Sequence, residues 1–306
     1  MPGMTGTADF VAAVDGGGSK TVAVVVDEQG RERGRAAAGS SNFTVVGAEQ
    51  AAMQVIGAVT EATRLAGAAL PLPSLWVGLS GIDRPGARKQ LLPRLQPLAG
   101  DIRLTNDAEL IYGALDGGVG VVLIAGTGSI ALGRDGAGVT TRAGGWGHLM
   151  GDEGSGYDLG RRALQAAAHA ADGRGPETAL LDALLGHWHI DRPLAMIERV
   201  YQSSEKSDIA QLSSLVFSAA REGDKVARRI VAEAAGDLAQ AAIAVGNRLS
   251  FPDGQLPLAL AGGLLTGVSE YRAMVVRRIR SRRSVGQVCV VNDPALNAAR
   301  CLPGAT

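Results

Sequence analysis

The chain reads as an α/β protein of two domains, each a mixed sheet with helices packed on it, and three observations predict this. Val14-Asp15-Gly16-Gly17-Gly18-Ser19-Lys20-Thr21 returns in altered form as Ala125-Gly126-Thr127-Gly128-Ser129, and both times apolar strand-like runs flank the glycines. A meander of strands gives way to alternating strand and helix patterns. With 306 residues, 46% hydrophobic and 20% charged, the chain has apolar material for two packed cores.

The elements follow in order. Phe10–Val14, Val22–Val26 and Gly34–Ala38 are strand-like, with the turn Asp27-Glu28-Gln29-Gly30 between the second and third, and Ala48–Leu65 carries helical apolar spacing. Leu75–Leu79 is a strand, Arg88–Leu95 a short helix, Ile102–Thr105 a strand and Ala108–Leu115 a helix. The turn Asp116-Gly117-Gly118 opens a second copy with strands Val119–Ala125 and Ile130–Gly133. From Gly154 to Leu249 the pattern is mostly helical, broken at 172–176, 191–193 and 203–208. Leu256–Ala261 and Val285–Val291 return to strand character, and Pro294–Leu302 forms a closing helix. A hinge near 115–118 marks the domain boundary.

The two glycine segments are expected to be phosphate-cradling hairpins facing one cleft. Glycines let backbone N–H groups approach an anion closely, and Ser19, Thr21, Thr127 and Ser129 add hydroxyl donors. ATP is the ligand this predicts. The first segment is not a P-loop, which needs glycine where Val14 and Ser19 stand and a helix afterwards, whereas the β-branched run Val22–Val26 follows here.

Thirty basic and thirty acidic residues cancel, leaving no electrostatic footprint for nucleic acid or an anionic membrane. Arg277, Arg278, Arg280, Arg282 and Arg283 cluster in a helical stretch and read as a solvated helix face. Two cysteines, Cys289 and Cys301, are too few for a disulfide framework or a metal cluster, so a reducing cytoplasm is expected. The first residues lack a basic start and an apolar core, and no apolar stretch is long enough to span a bilayer, so neither secretion nor membrane insertion is expected.

Asn106-Asp107 lies between a strand and a helix, where a carboxylate projects from a strand end. Asp107 in that place serves either as general base for a sugar hydroxyl or as N-cap of the following helix. Gly144-Gly145-Trp146-Gly147-His148-Leu149-Met150-Gly151-Asp152-Glu153-Gly154-Ser155-Gly156 offers an aromatic face for a sugar ring and, in Asp152 or Glu153, acceptors for its hydroxyls. His148 reads as structural, and Glu153 also suits the first turn of the next helix. Ala261-Gly262-Gly263 ends a strand with room for a flat base such as adenine. Ser40-Ser41-Asn42 and Ser80-Gly81 end strand-like runs, as hydrogen-bond donors to substrate or as turn formers.

In this order the segments resemble the N-acetylglucosamine kinase branch of the BadF/BadG/BcrA/BcrD ATPase family, over nearly the whole chain. The resemblance implies two ribonuclease-H-like (actin-like ATPase) domains with an interdomain cleft: residues 1–116 with the closing helix 294–306, and the larger 117–293. It implies ATP bound by Gly16, Gly17, Gly18, Ser19, Lys20 and Thr21 in one motif, Gly126, Thr127, Gly128 and Ser129 in the second, and Gly262 and Gly263 at the adenosine. Asp15 would hold Mg²⁺ through water, and Asp107 would be the catalytic base. Asn42, Ser80, Asn106, Asp107, Thr127, Gly145, Trp146 and Asp152 would contact the sugar. Trp146 tilts the expected substrate toward N-acetylglucosamine, phosphorylated on its 6-hydroxyl, with glucosamine or N-acetylmuramic acid next. A regulator that binds ATP and sugar without turnover is the reading from another class. The expected state is a cytoplasmic homodimer. The late cysteines do not fit the iron–sulfur activators of 2-hydroxyacyl-CoA dehydratases in the same family, and the zinc-binding cysteine motif of the other large sugar-kinase family is absent.

Overall fold

A computed structural model describes residues 10–18, 20–203 and 205–304. In chain order the elements are β1 (Val11–Gly16), β2 (Thr21–Val26), β3 (Glu32–Ala38), α1 (Phe43–Leu65), β4 (Leu72–Leu79), α2 (Ala87–Leu95), β5 (Ala99–Thr105), α3 (Glu109–Tyr112), β6 (Gly120–Ala125), β7 (Ser129–Arg134) and β8 (Thr140–Gly144). Helices α4 (Gly156–Ala171), α5 (Ala179–Trp188), α6 (Ala195–Ser203), α7 (Lys206–Gln211), α8 (Ser213–Glu222) and α9 (Lys225–Gly246) come next. Then follow β9 (Leu256–Ala261), α10 (Gly263–Gly267), α11 (Ser269–Arg280), β10 (Val285–Val291) and α12 (Pro294–Arg300).

The chain divides into two compact units, Met1–Gly118 with Asp293–Thr306, and Val119–Asn292. Each contains one five-stranded sheet, ordered β3-β2-β1-β4-β5 in the first and β10-β9-β6-β7-β8 in the second. The sheets share one topology. β1, β2 and β3 pair antiparallel while β4 and β5 run parallel to β1, and β6, β7, β8 then β9, β10 repeat the pattern.

In the first unit alternation along each strand builds two cores. Ala12, Val14, Ala23, Val25, Leu75 and Val77 face α1 and α2, while Val11, Ala13, Val24, Val26 and Trp76 face α12. A strand buried on both faces reads as a continuous apolar run. Asp27 anchors the β2–β3 turn, its carboxylate accepting the N–H groups of Gln29 and Arg31 at 3.0 Å each. In the second unit α4, α8, α9 and α11 pack around β6, β7 and β9, with Tyr271 fully buried among them.

Four local readings need correction. The helix expected over 108–115 is only α3: Asn297 Nδ2 donates at 2.8 Å to Leu110 O, the acceptor an α-helix would offer Ala114 N, and the chain tightens into i→i+3 bonds, Ala114 N to Ile111 O and Leu115 N to Tyr112 O at 3.0 Å each. β8 went unpredicted because its residues, Thr-Thr-Arg-Ala-Gly on a sheet edge, show no apolar alternation. α7 begins inside the expected break at 203–208, on the reciprocal cap of Glu205 and Asp208. α1 starts earlier than Ala48, capped by Asn42, and Gly47 at φ 76° interrupts it just before the periodic stretch.

Candidate active site

In the first unit the site residues stand at the C-terminal ends of the parallel strands β1, β4 and β5. Asp15 and Gly16 end β1, Ser80 follows β4, and Asn106 and Asp107 follow β5. The first glycine segment is a hairpin turn between β1 and β2, closed by Gly17 N donating to Lys20 O at 3.0 Å. Gly16 permits a crowded crossing: a Cβ there would stand 2.1 Å from Leu79 Cδ2 and 2.3 Å from Ser41 Oγ. Ser80 N donates to Gly16 O at 2.9 Å, tying the β4 end to the hairpin. Ser19 lies outside the described residues. Lys20 and Gly18 are exposed, and Asn42 turns its Nδ2 toward Gly18 while its Oδ1 accepts Thr44 N at 3.0 Å.

Asp107 is half-buried. Ser80 Oγ donates to its Oδ2, and Ala108 N donates to Oδ1 at 3.0 Å. It does not cap α3 through its side chain, since Glu109 N is taken by Asn106 Oδ1 at 3.2 Å. Asn106 Nδ2 in turn donates to Asp83 at 2.8 Å, so the Asn106 amide is engaged within its own unit. Asp15 sits beside this pair. Burial first, and then the nearby charges of Asp107 and Asp293, push its pKa up to about 6, with Lys20 opposing.

That electrostatic position fits a divalent cation. A half-buried carboxylate crowded by two others is more easily protonated than an ordinary one, which added positive charge would offset, and Mg²⁺ is commonly held by one or two carboxylates, waters and substrate phosphates. Among the described residues no cluster of three or more His, Cys, Asp or Glu forms a closed metal cage.

In the second unit the glycine segment turns between β6 and β7, with Gly126 N donating to Gly128 O at 2.9 Å. The start of α4 lies under it: Gly156 N donates to Gly126 O at 2.8 Å and Tyr157 N to Thr127 O at 3.3 Å. Gly262, at φ 86°, brings the end of β9 against β6, where a Cβ would lie 2.4 Å from Ala125 O. Gly126, Gly262 and Gly263 thus meet backbone to backbone.

The hydroxyls separate into two kinds. Thr21 is fully buried and donates to Gly39 O at 2.7 Å, with Ser41 Oγ also 2.7 Å away. Ser129 is buried, its Oγ donating to Glu153 O at 2.8 Å and its N–H to Asp152 Oδ1 at 3.1 Å. Both were expected as phosphate donors, and both spend their protons inside the fold, because each sits where a strand begins and faces a neighbouring loop. Thr127, at the tip of its turn, is exposed.

The loop 144–155 divides in the same way. Trp146 is 60% exposed and so is not a core anchor, and the Arg142 guanidinium lies 5.0 Å from its ring centroid. Gly145 N donates to Ser129 O at 3.1 Å, fixing the loop to β7. His148 packs edge-on against Tyr157, and the Glu153 side chain is exposed. Asp152, expected as an acceptor for sugar hydroxyls, is instead buried at φ 63°, with Lys206 Nζ 2.7 Å from its Oδ2. Lys206 and Tyr271, whose hydroxyl donates to Gly154 O at 2.8 Å, were missed by sequence reasoning. Neither lies near a glycine segment in the chain, so no local signal marks them.

Two mixed sheets of one topology, each carrying a glycine hairpin at its strand ends, define an α/β protein of the actin-like ATPase class. The chain belongs to the BadF/BadG/BcrA/BcrD ATPase family, whose model matches residues 13–298. It is 34% identical to an N-acetylmuramic acid/N-acetylglucosamine kinase of Clostridium acetobutylicum, over 85% of this chain and 87% of that one. It is 30% identical to an N-acetyl-D-glucosamine kinase of Dictyostelium discoideum, over 95% and 97%. A crystal structure of a candidate N-acetylglucosamine kinase from Chromobacterium violaceum superposes with a TM-score of 0.73 at 29% identity, covering 96% of this chain and 99% of that one.

Proposed function

We propose that the protein is a kinase that transfers the γ-phosphoryl group of ATP to the 6-hydroxyl of N-acetylglucosamine. Asp107 carries this reading: a half-buried carboxylate held at a strand end by Ser80 and the Ala108 N–H, with Asp15 beside it. The activities named for the Clostridium and Dictyostelium relatives support it. Asp107 accepts the hydroxyl proton as the new O–P bond forms and the bond to ADP breaks, then returns it to solvent, a contribution on the order of 10²–10⁴-fold.

The backbone of Gly16, Gly17, Gly18, Lys20, Gly126 and Gly128 cradles the phosphates, Thr127 adds the hydroxyl, and Gly262 and Gly263 lie along the adenosine. Asp15 would hold Mg²⁺ through water. That ion, when bound, neutralises charge on the transferring phosphate. Asn42 Nδ2, Ser80, Gly145 and Trp146 meet the sugar, and Asp152 serves by shaping the loop. A homodimer in the cytoplasm belongs to the same proposal, and light scattering on the purified chain tests the first part.

The test is ADP release by the purified protein over a panel of amino sugars, with ³¹P–¹H coupling to assign the phosphorylated oxygen. Release that no sugar accelerates would overturn the proposal in favour of the regulator. A second acceptor, N-acetylmuramic acid, is favoured by Arg142, whose guanidinium beside Trp146 suits a lactyl carboxylate.

A further inference from the structure

A cavity of about 500 Å³ opens in the second unit among α4, α9 and the end of α11. Four arginines line it: Arg162, Arg229, Arg278 and Arg282. Their charges are unevenly answered. Arg162 is held by Asp158 at 2.9 Å and Asp237 at 2.6 Å, and Arg229 reaches Glu233 at 3.9 Å. Arg278 and Arg282 are exposed and have no carboxylate partner among the described residues. The floor beneath Arg278 is Gly236, where a Cβ would stand 3.6 Å from its Nη1.

We propose that this cavity binds a phosphorylated sugar. Two unanswered guanidiniums match a phosphomonoester dianion in charge and in donor geometry. Glu233 and Asp237 on the same wall accept sugar hydroxyls, and the volume lies within the roughly 300–1,000 Å³ of small-molecule sites. Hydrogen bonds connect the walls of the cavity to the loop at 144–155. Arg162 holds Asp158, whose Oδ2 accepts Gly154 N at 3.0 Å, and Tyr271 of α11 donates to Gly154 O at 2.8 Å. Both backbone polar groups of Gly154, its N–H and its carbonyl, are therefore held by the helices that wall the cavity, so a dianion drawing on Arg162 alters the grip on that loop.

Only the effector's identity as the reaction product, N-acetylglucosamine 6-phosphate, rests on the kinase reading; binding is measured without turnover. Equilibrium dialysis of the full chain at about 0.15 M salt compares that compound with glucose 6-phosphate, inorganic phosphate and unphosphorylated N-acetylglucosamine. The expected result is a site that binds sugar phosphate, weakens at least 10-fold in Arg278→Glu/Arg282→Glu, and survives Asp107→Asn and Thr127→Ala. Arg282→Glu alone, at an exposed position after α11, is expected to weaken it several-fold and guards against misfolding of the double variant. In turnover assays the same variants should convert mixed inhibition by the product to competitive inhibition. Sugar-phosphate binding untouched by both charge reversals, or inorganic phosphate binding as tightly, would overturn the proposal; mixed inhibition that persists after binding is lost would overturn the link to the loop. A charge-sensitive site in a protein that phosphorylates no amino sugar would refute the kinase reading and leave this one standing.

Discussion

Lys206 Nζ lies 2.7 Å from Asp152 Oδ2, while the other oxygen of that carboxylate accepts the Ser129 N–H at 3.1 Å. One buried charge thus clamps the glycine loop to the second glycine hairpin. Lys206→Met leaves the carboxylate without its counter-ion, which should cost about 1–3 kcal/mol because the lysine is partly solvated. A melting temperature several degrees lower, with reduced kcat/KM for both substrates, is expected. Asp152→Asn should be milder than Asp152→Ala, since asparagine tolerates the positive φ. An unchanged melting curve for Lys206→Met would remove the clamp.

Asp107→Asn should keep sugar binding and lower kcat on the order of 10²-fold or more, because the amide preserves shape without accepting a proton. Ser80→Ala removes the hydroxyl that orients Asp107, so kcat should fall by about 10-fold with a smaller change in KM. Single-turnover rates together with sugar titrations separate the two effects, and a full-rate Asp107→Asn enzyme would exclude it as the base.

Thr127→Ala and Thr21→Ala should fail differently. The first removes an exposed hydroxyl and should lower ATP-dependent turnover with an unchanged melting temperature. The second strips a buried hydrogen bond from beneath the first hairpin, with an expected loss of about 1–2 kcal/mol of stability. Urea denaturation beside ATP kinetics distinguishes them, and the reverse pattern would show that the wrong hydroxyl had been assigned to the phosphates.

Asp15 supplies a pH test. Its folded pKa, about 6, lies above the ordinary 3.8, so the folded chain binds more protons and stability falls as pH rises through that window. The full penalty, up to about 3 kcal/mol, is present above pH 6 and absent below about pH 4. Asp15→Asn should therefore raise the melting temperature of the ligand-free protein at pH 7.5, leave it unchanged near pH 4, and abolish turnover. A stabilisation independent of pH would mean that another cause operates.

Trp146 is exposed, so Trp146→Ala should leave the melting temperature alone. If the indole meets the acetamido group, kcat/KM for N-acetylglucosamine should fall more than that for glucosamine, by a difference of about 1–3 kcal/mol. Equal losses for the two sugars would sink its role in recognition.

Much of the architecture is legible in the amino-acid sequence. Apolar strand-like runs on either side of glycine turns announced β1, β2, β6 and β7, and the bounds of β9 and β10 matched their apolar runs, Leu256–Ala261 and Val285–Val291. Such signals are local: period-2 burial and turn chemistry act within a few residues, so the amino-acid order by itself determined where these six strands lie and where the glycine turns fall between them. What tertiary structure alone decided is which polar groups remain free to act. Thr21 and Thr127 look alike in the chain, yet one is consumed by Gly39 and the other is exposed. Asp152 is answered by a lysine 54 residues away, and Gly154 by a tyrosine 117 residues away. α3 ends early because α12, near the far end of the chain, takes its carbonyl. A hydrogen-bonding group has few partners, and competition for them is settled by whatever the fold brings within about 3 Å, a distance that no spacing along the sequence encodes.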